Sequence, residues 1–315
     1  MNVIRGIKRI VRNMGGIDVQ NQFAALRMEI QDAKILTGKG MVWQLQSRGT
    51  LERLRDAEFK VFSQFGDDGI IQYLIKQADV RNLRFVEFGV HNYTEANTRF
   101  LLVNDNWTGL VLDGDQSNMD AVKREDIYWR FDVTADQAFI DRDNINHLLR
   151  RNGFTGEIGL LSVDIDGNDY WVWESITAVQ PTIVIVEYNG LFGPRRAVSI
   201  PYDVGFRRAN AHYSHLYWGC SLKALFLLAE KKGYSFVGCN SNGNNAYFVQ
   251  KDRLKSLRPL TVEEGYECPK FRESRDREGR LTFLSGNARL RAIADMPVME
   301  VESGATVAIK ELIET

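Results

Sequence analysis

A chain of 315 residues, 44% hydrophobic and 26% charged, is long enough to bury a sizeable core and has the balance of a globular protein. A formal net charge of −1 argues against wholesale nucleic-acid binding, and the three unclustered cysteines, Cys220, Cys239 and Cys268, point to a reducing compartment rather than a disulfide framework. No apolar run reaches the ~18–20 residues of a membrane span and no secretory signal core is visible, so a cytoplasmic location is expected.

Residues 1–60 read as a helical N-terminal extension. Val3, Ile4, Ile7, Ile10, Val11 and Met14 recur at helical spacing, with Arg5, Lys8, Arg9 and Arg12 between them. A basic amphipathic helix over residues 1–14 lies either on an anionic membrane surface, at the inner face, or against its own domain or a second subunit. The stretch 24–62 likewise reads as a helical lid or a homo-oligomer surface.

Residues 61–255 alternate short runs rich in Val, Ile, Leu and Phe with helical stretches. The spacing predicts strands over 83–90, 109–113, 127–131, 158–164 and 182–187, apolar on successive residues as in strands buried on both faces. Helices are predicted over 137–151, 170–179 and 221–232. Such alternation implies a mostly parallel sheet covered by helices. The zone closes differently, with strands over 234–239 and 246–250 joined by the turn Asn240-Ser241-Asn242-Gly243-Asn244-Asn245. That hairpin forces one strand antiparallel, which favours the Rossmann-like sheet of class I methyltransferases over the wholly parallel dehydrogenase type. Residues 256–315 read as a C-terminal extension.

In open α/β sheets, ligands bind beyond the carboxyl ends of the strands. The first predicted strand leads into Glu87-Phe88-Gly89, where the glycine admits close approach, and then towards Asn97-Thr98. The second ends in Asp113, suited to the two ribose hydroxyls of an adenosine. The third ends at Asp132, suited to the adenine amino group. Neither a GxGxxG fingerprint nor a GxxxxGK[ST] loop is present, so pyrophosphate and triphosphate cofactors lose support. Acidic strand ends suit a cationic, phosphate-free ligand such as S-adenosylmethionine.

Several segments carry a more specific likeness: Ser63-Gln64-Phe65-Gly66-Asp67-Asp68-Gly69, Phe85-Val86-Glu87-Phe88-Gly89, and Ser162-Val163-Asp164-Ile165-Asp166-Gly167-Asn168-Asp169-Tyr170. With Val186-Glu187-Tyr188-Asn189, Lys232-Gly233-Tyr234 and Asn245-Ala246-Tyr247-Phe248-Val249, residues 60–255 resemble an FkbM-like methyltransferase family. The resemblance implies S-adenosylmethionine as methyl donor, and often a sugar hydroxyl as acceptor in glycan or natural-product pathways. Val90-His91-Asn92-Tyr93 departs from the small residues that often follow the first glycine in that family. Gln64 either caps a helix or touches the methionine carboxylate, and Asp164 belongs to both the cofactor and the chemical candidates.

A hydroxyl nucleophile needs a general base or a metal that lowers its pKa. Asp164 and Asp166 at the fourth strand end, with Glu187 and Asn189 at the fifth, face one cleft, since residues two apart on a strand point the same way. They form either an oxygen-ligand set for Mg²⁺ or Mn²⁺ or a binding and catalytic surface for the acceptor. Among four histidines, His91 lies in the first loop and His147 in a helical stretch, while His212 and His215 fall in a lid-like segment as candidate base and substrate contact. Arg195 and Arg196 either grip an acidic acceptor or sit in a solvated loop. The chain therefore reads as an S-adenosylmethionine-dependent O-methyltransferase. Its alternatives are a methyltransferase of a non-sugar metabolite and a catalytically silent module of a glycan-assembly complex.

Overall fold

The computed structural model describes residues 2–313, with the side chains of residues 2–18, 20, 24 and 313 left outside the description. The amphipathic face expected over residues 1–14 therefore lies outside the described residues. The chain opens with one long helix, α1 (Asn2–Ser47), whose last turns rest on the domain through Val42 and Leu45.

Seven strands form the main sheet: β1 (Arg84–Phe88), β2 (Thr108–Asp113), β3 (Val133–Gln137), β4 (Gly156–Val163), β5 (Val179–Glu187), β7 (Tyr234–Cys239) and β8 (Asn245–Gln250). Between β5 and β7 comes the short β6 (Val198–Ser199). The order across the sheet is β3-β2-β1-β4-β5-β8-β7, with β1 to β5 parallel and β8 antiparallel to both its neighbours. This is the class I methyltransferase arrangement of a Rossmann-like sheet. The strand order turns back at β1 and β4, which puts a ligand crevice beyond their carboxyl ends.

The strands are apolar on successive residues because both faces are covered. Along β5, Ile183 and Ile185 enter one core while Val184 and Val186 enter the other. Phe85 and Val86 of β1 divide in the same way. On one face lies α2 (Asp67–Gln77), burying Ile70, Ile71 and Leu74. On the other lie the helices Asp169–Ser175 and Leu222–Lys232, the second capped by the Ser221 hydroxyl, which accepts from the Ala224 amide.

Two predicted elements differ. Residues 127–131 are not the third strand: Asp126–Arg130 is a helical turn, and β3 begins at Val133. Ile127 is buried and Phe131 packs beside the same core, whereas Trp129 between them is exposed. A short apolar run suits either element, and packing one turn against the core decides here. The helix expected over 137–151 starts only at Ile145, because Gln137 ends β3 and the loop that follows, Ala138 to Ile140, lines the ligand crevice.

The C-terminal stretch is interlaced with the middle of the chain. Its strands β9 (Pro297–Glu300) and β10 (Thr306–Ala308) pair with each other, and β9 also pairs with β6, in a separate antiparallel sheet. Val298 and Ile309 bury against Phe192, Ile200 and Leu216. Among the described residues, no helix is long and apolar enough to cross a membrane.

Candidate active site

A cavity of about 900 Å³ opens beyond the carboxyl ends of β1 to β5. Of the residues singled out from sequence, Gln64, Glu87, Gly89, Asn97, Asp113, Asp164, Asp166 and Glu187 all line it.

Glu87 anchors the first loop. Its Oε1 accepts from the Asn97 amide at 2.8 Å, and its Oε2 accepts from the amide and hydroxyl of Thr98 at 3.0 and 2.5 Å. Burial nevertheless raises its pKa to about 7, against the opposing pull of those bonds. Thr98 is consumed by this bracing and does not reach the cavity, while the Asn97 side chain donates to Ser162 Oγ at 3.1 Å. Gly89 has φ +70°, and a Cβ there would overlap the carbonyl oxygen of Asp164, so only glycine lets the β1 and β4 ends come this close.

Asp113 closes β2. Its Oδ2 accepts from the His91 amide at 2.8 Å, and its Oδ1 from the Asp115 amide at 2.8 Å and Asn118 Nδ2 at 3.0 Å. The carboxylate is thereby fixed in orientation at the cavity wall. Asp132 is elsewhere. It precedes β3, is exposed, and accepts from the Thr108 hydroxyl at 2.8 Å, at the amino ends of the strands and so at the far end from the crevice. The cavity edge that Asp132 was expected to supply is built instead by Gln137, Ala138, Phe139 and Ile140. The error follows from placing the third strand one element too early.

At the centre, Val163 pairs with Val186, so Asp164 and Glu187 follow side by side at the ends of β4 and β5. Asp164 makes a side-chain hydrogen bond with Glu187. Burial is the main force raising both carboxyls well above the usual carboxylate range, and neighbouring negative charge adds to it. A pair so placed retains a proton near neutrality. Glu187 Oε2 is buried and has no hydrogen-bond partner.

Asp166, beside this pair in the same cavity, accepts from Arg208 Nη1 at 2.8 Å. Its loop is held by Asp169, whose two carboxylate oxygens accept from the amides of Ile165 and Gly167 at 2.8 and 2.9 Å. Burial raises Asp169 to about 7.

Four other candidates fall outside the cavity lining. Asn189 donates to the carbonyls of Leu216 and Trp218 and accepts from the Leu191 amide, so both ends of its amide are committed to folding the chain. Arg195 is exposed, and its neighbour Arg196 donates to the Leu312 carbonyl. His212 pairs through Nδ1 with Ser214 Oγ at 2.7 Å, and burial lowers its pKa, with the charge of Arg277 adding to the effect. His215 stands behind the wall, its carbonyl accepting from Arg208 Nε at 3.0 Å. The four oxygen ligands expected for a metal are accordingly not brought together, since Asn189 is committed to backbone groups and Asp166 to Arg208. Among the described residues, no group of three or more His, Cys, Asp or Glu is placed to hold a metal ion.

Several lining residues escaped the sequence reading. Arg208 joins Asp166 to Glu273 (3.9 Å) and lies over the Trp218 ring. Arg207 lies 4.8 Å over the Phe139 ring. Phe206, from the same segment, and Phe271, from the C-terminal stretch, complete the rim. The segment carrying Arg207 and Arg208 was identified through its histidines, whereas Phe271 and Glu273 leave no periodic or motif signal.

No family model and no curated protein matches the chain. Among solved structures, it is similar to the N-terminal domain of EvdMO1 with S-adenosylhomocysteine bound, at 14% identity and a TM-score of 0.40, over 71% of this chain and 94% of that one. It is similar to an O-methyltransferase from Bacillus cereus in complex with S-adenosylhomocysteine, at 11% identity and a TM-score of 0.40, over 70% and 91% of the two chains. An S-adenosylmethionine-dependent methyltransferase from Clostridium acetobutylicum gives 9% identity and a TM-score of 0.38, over 58% and 90%. Likeness at this level says nothing about chemistry, which has to come from the residues of the site.

Proposed function

We propose that this chain is an S-adenosylmethionine-dependent O-methyltransferase of FkbM-like type, acting on a sugar hydroxyl in glycan or natural-product biosynthesis. The observation that carries the reading is the set of carboxylates around one crevice: Asp113 at the end of β2, and the Asp164–Glu187 pair at the ends of β4 and β5. A cavity of about 900 Å³ has room for a nucleoside cofactor and an acceptor together. The donor set fits the cofactor. Asp113 offers a fixed carboxylate to a ribose, no phosphate-binding loop is present, and acidic walls favour a cation. When bound, S-adenosylmethionine supplies an electrophilic methyl group on a sulfonium.

The chain's own work is to orient the acceptor and take its proton. Asp164 and Glu187 are the groups for the second task, because their raised pKa values bring a carboxylate closer to the basicity a hydroxyl requires. The unpartnered Glu187 Oε2 is the acceptor atom free to receive that proton. Arg208 holds Asp166 and favours the charged form of Glu187. Phe139, Phe206 and Phe271 offer apolar faces to the C–H side of a sugar ring.

Titration calorimetry with S-adenosylhomocysteine and NAD tests the reading. The first should bind and the second bind far more weakly. NAD binding more tightly would overturn it. Tight binding of S-adenosylmethionine without methyl transfer to any sugar acceptor would favour the silent module.

A further inference from the structure

We propose that α1 is a dimerisation helix, which pairs with α1 of a second copy of this chain in parallel and in register. Two faces of the helix behave differently. Gly38, Val42 and Leu45 form the docked face, and a Cβ on Gly38 would press on Val61 and Phe100. Roughly a third of a turn away, at ~100° per residue, lies a second apolar stripe. It consists of Val19, Phe23, Leu26, Ile30 and Ala33, whose spacing alternates four and three residues. None of the described residues covers it: Val19, Phe23, Leu26 and Ile30 are 50%, 62%, 50% and 53% exposed.

An alternating four–three stripe is the seam of a two-helix coiled coil, in which each side chain fills a hole on an identical neighbour. A second copy is therefore the occupant whose pattern matches. The flanking charges choose its direction. In a parallel, in-register pair, Glu29 faces Lys34 of the second copy and Gln22 faces Arg27, so neither contact sets like charges together. In an antiparallel pair, Arg27 of one copy would face Lys34 of the other. Lys34 is exposed, with Nζ 5.2 Å from the Phe62 ring, and can swing to the seam. The docked base restrains the helix before association, which lowers the ordering cost of a short seam.

Sedimentation velocity on the full chain tests the pairing. A concentration-dependent dimer is expected, and Leu26→Glu with Ile30→Glu should leave a monomer that melts as the wild-type chain does at dilutions where it too is monomeric, since both positions are exposed in the single chain. Lys34→Glu should raise the dimer dissociation constant about fivefold or more, as two attractive pairs become repulsive. Adding Glu29→Lys should restore it. A monomer at every concentration overturns the proposal, whether or not the chain sediments with anionic vesicles. So does a dimer indifferent to the Leu26 and Ile30 changes. An unchanged or tighter dimer in Lys34→Glu overturns the parallel pairing.

Discussion

The carboxyl groups of Asp164 and Glu187 lie side by side at the ends of adjacent parallel strands, one residue beyond the paired Val163 and Val186. Two carboxylates are not brought together under burial for stability alone, because their mutual repulsion opposes folding. Under the proposed function the pair serves as a proton acceptor, held by a sheet that is packed on both faces.

Glu187→Gln should therefore lower methyl transfer by about 10²–10⁴-fold, as for a lost general base, while leaving S-adenosylhomocysteine affinity within about threefold. The same substitution removes a buried carboxyl whose charged form is penalised by burial and by Asp164, and should stabilise the unliganded protein by about 0.5–2 kcal/mol in urea denaturation. Chelators should leave wild-type turnover unchanged, because Asp166 and Asn189 are engaged with Arg208 and with backbone groups. Full activity of Glu187→Gln, or activity lost to a chelator and restored by Mg²⁺, would move the chemistry elsewhere.

Stability should fall as pH rises from about 4 to about 7. Glu87 and Asp169 titrate at about 7 when folded, against ordinary values of 4.5 and 3.8. Across that window the folded state binds more protons than the unfolded state, so their contribution is complete below the ordinary values and is lost through the folded ones. His212, with a lowered pKa, works in the opposite sense below 6.5, as one partly buried group against two fully buried carboxyls. Asp79, Asp115 and Asp276 have lowered values and act only below about 4. Thermal melts across the window should show a net loss of stability; stability rising from pH 5 to 7 would contradict this assignment.

Asp113→Ala should weaken S-adenosylhomocysteine binding by about 1.5–3 kcal/mol, the range for hydrogen bonds to a charged group. Calorimetry reads the affinity. Hydrogen exchange should rise at His91 and Asp115, whose amides donate to this carboxylate. An unchanged affinity would remove Asp113 from the cofactor site.

Gly89→Ala should cost about 2–5 kcal/mol of stability, combining a positive φ with overlap onto the Asp164 carbonyl. Because the same contact sets the β1–β4 spacing at the crevice, ligand binding should be lost as well. Denaturation curves that coincide with wild type would show that the loop can be rebuilt around a side chain.

Sequence alone determined the class of the main sheet and all of its strands but the third. Period, length and the Asn-rich turn specify parallel strands closed by a hairpin, since a strand buried on both faces must be apolar at every position and a reversal needs turn residues. It also placed Glu87, Gly89, Asp113, Asp164 and Glu187 at strand ends, because those positions follow directly from where apolar runs stop. What it left open depended on contacts between distant segments. Whether 127–131 packs as a helical turn or a strand was settled by burial of Ile127 beneath the sheet edge, and that moved Asp132 away from the crevice. Asn189 was consumed by hydrogen bonds to the distant Leu216 and Trp218 carbonyls, and His212 by its neighbour Ser214, which residue type and spacing do not reveal. Arg208, Phe271 and Glu273 reach the crevice only because the chain folds back over it, and long-range closure leaves no mark on local sequence pattern.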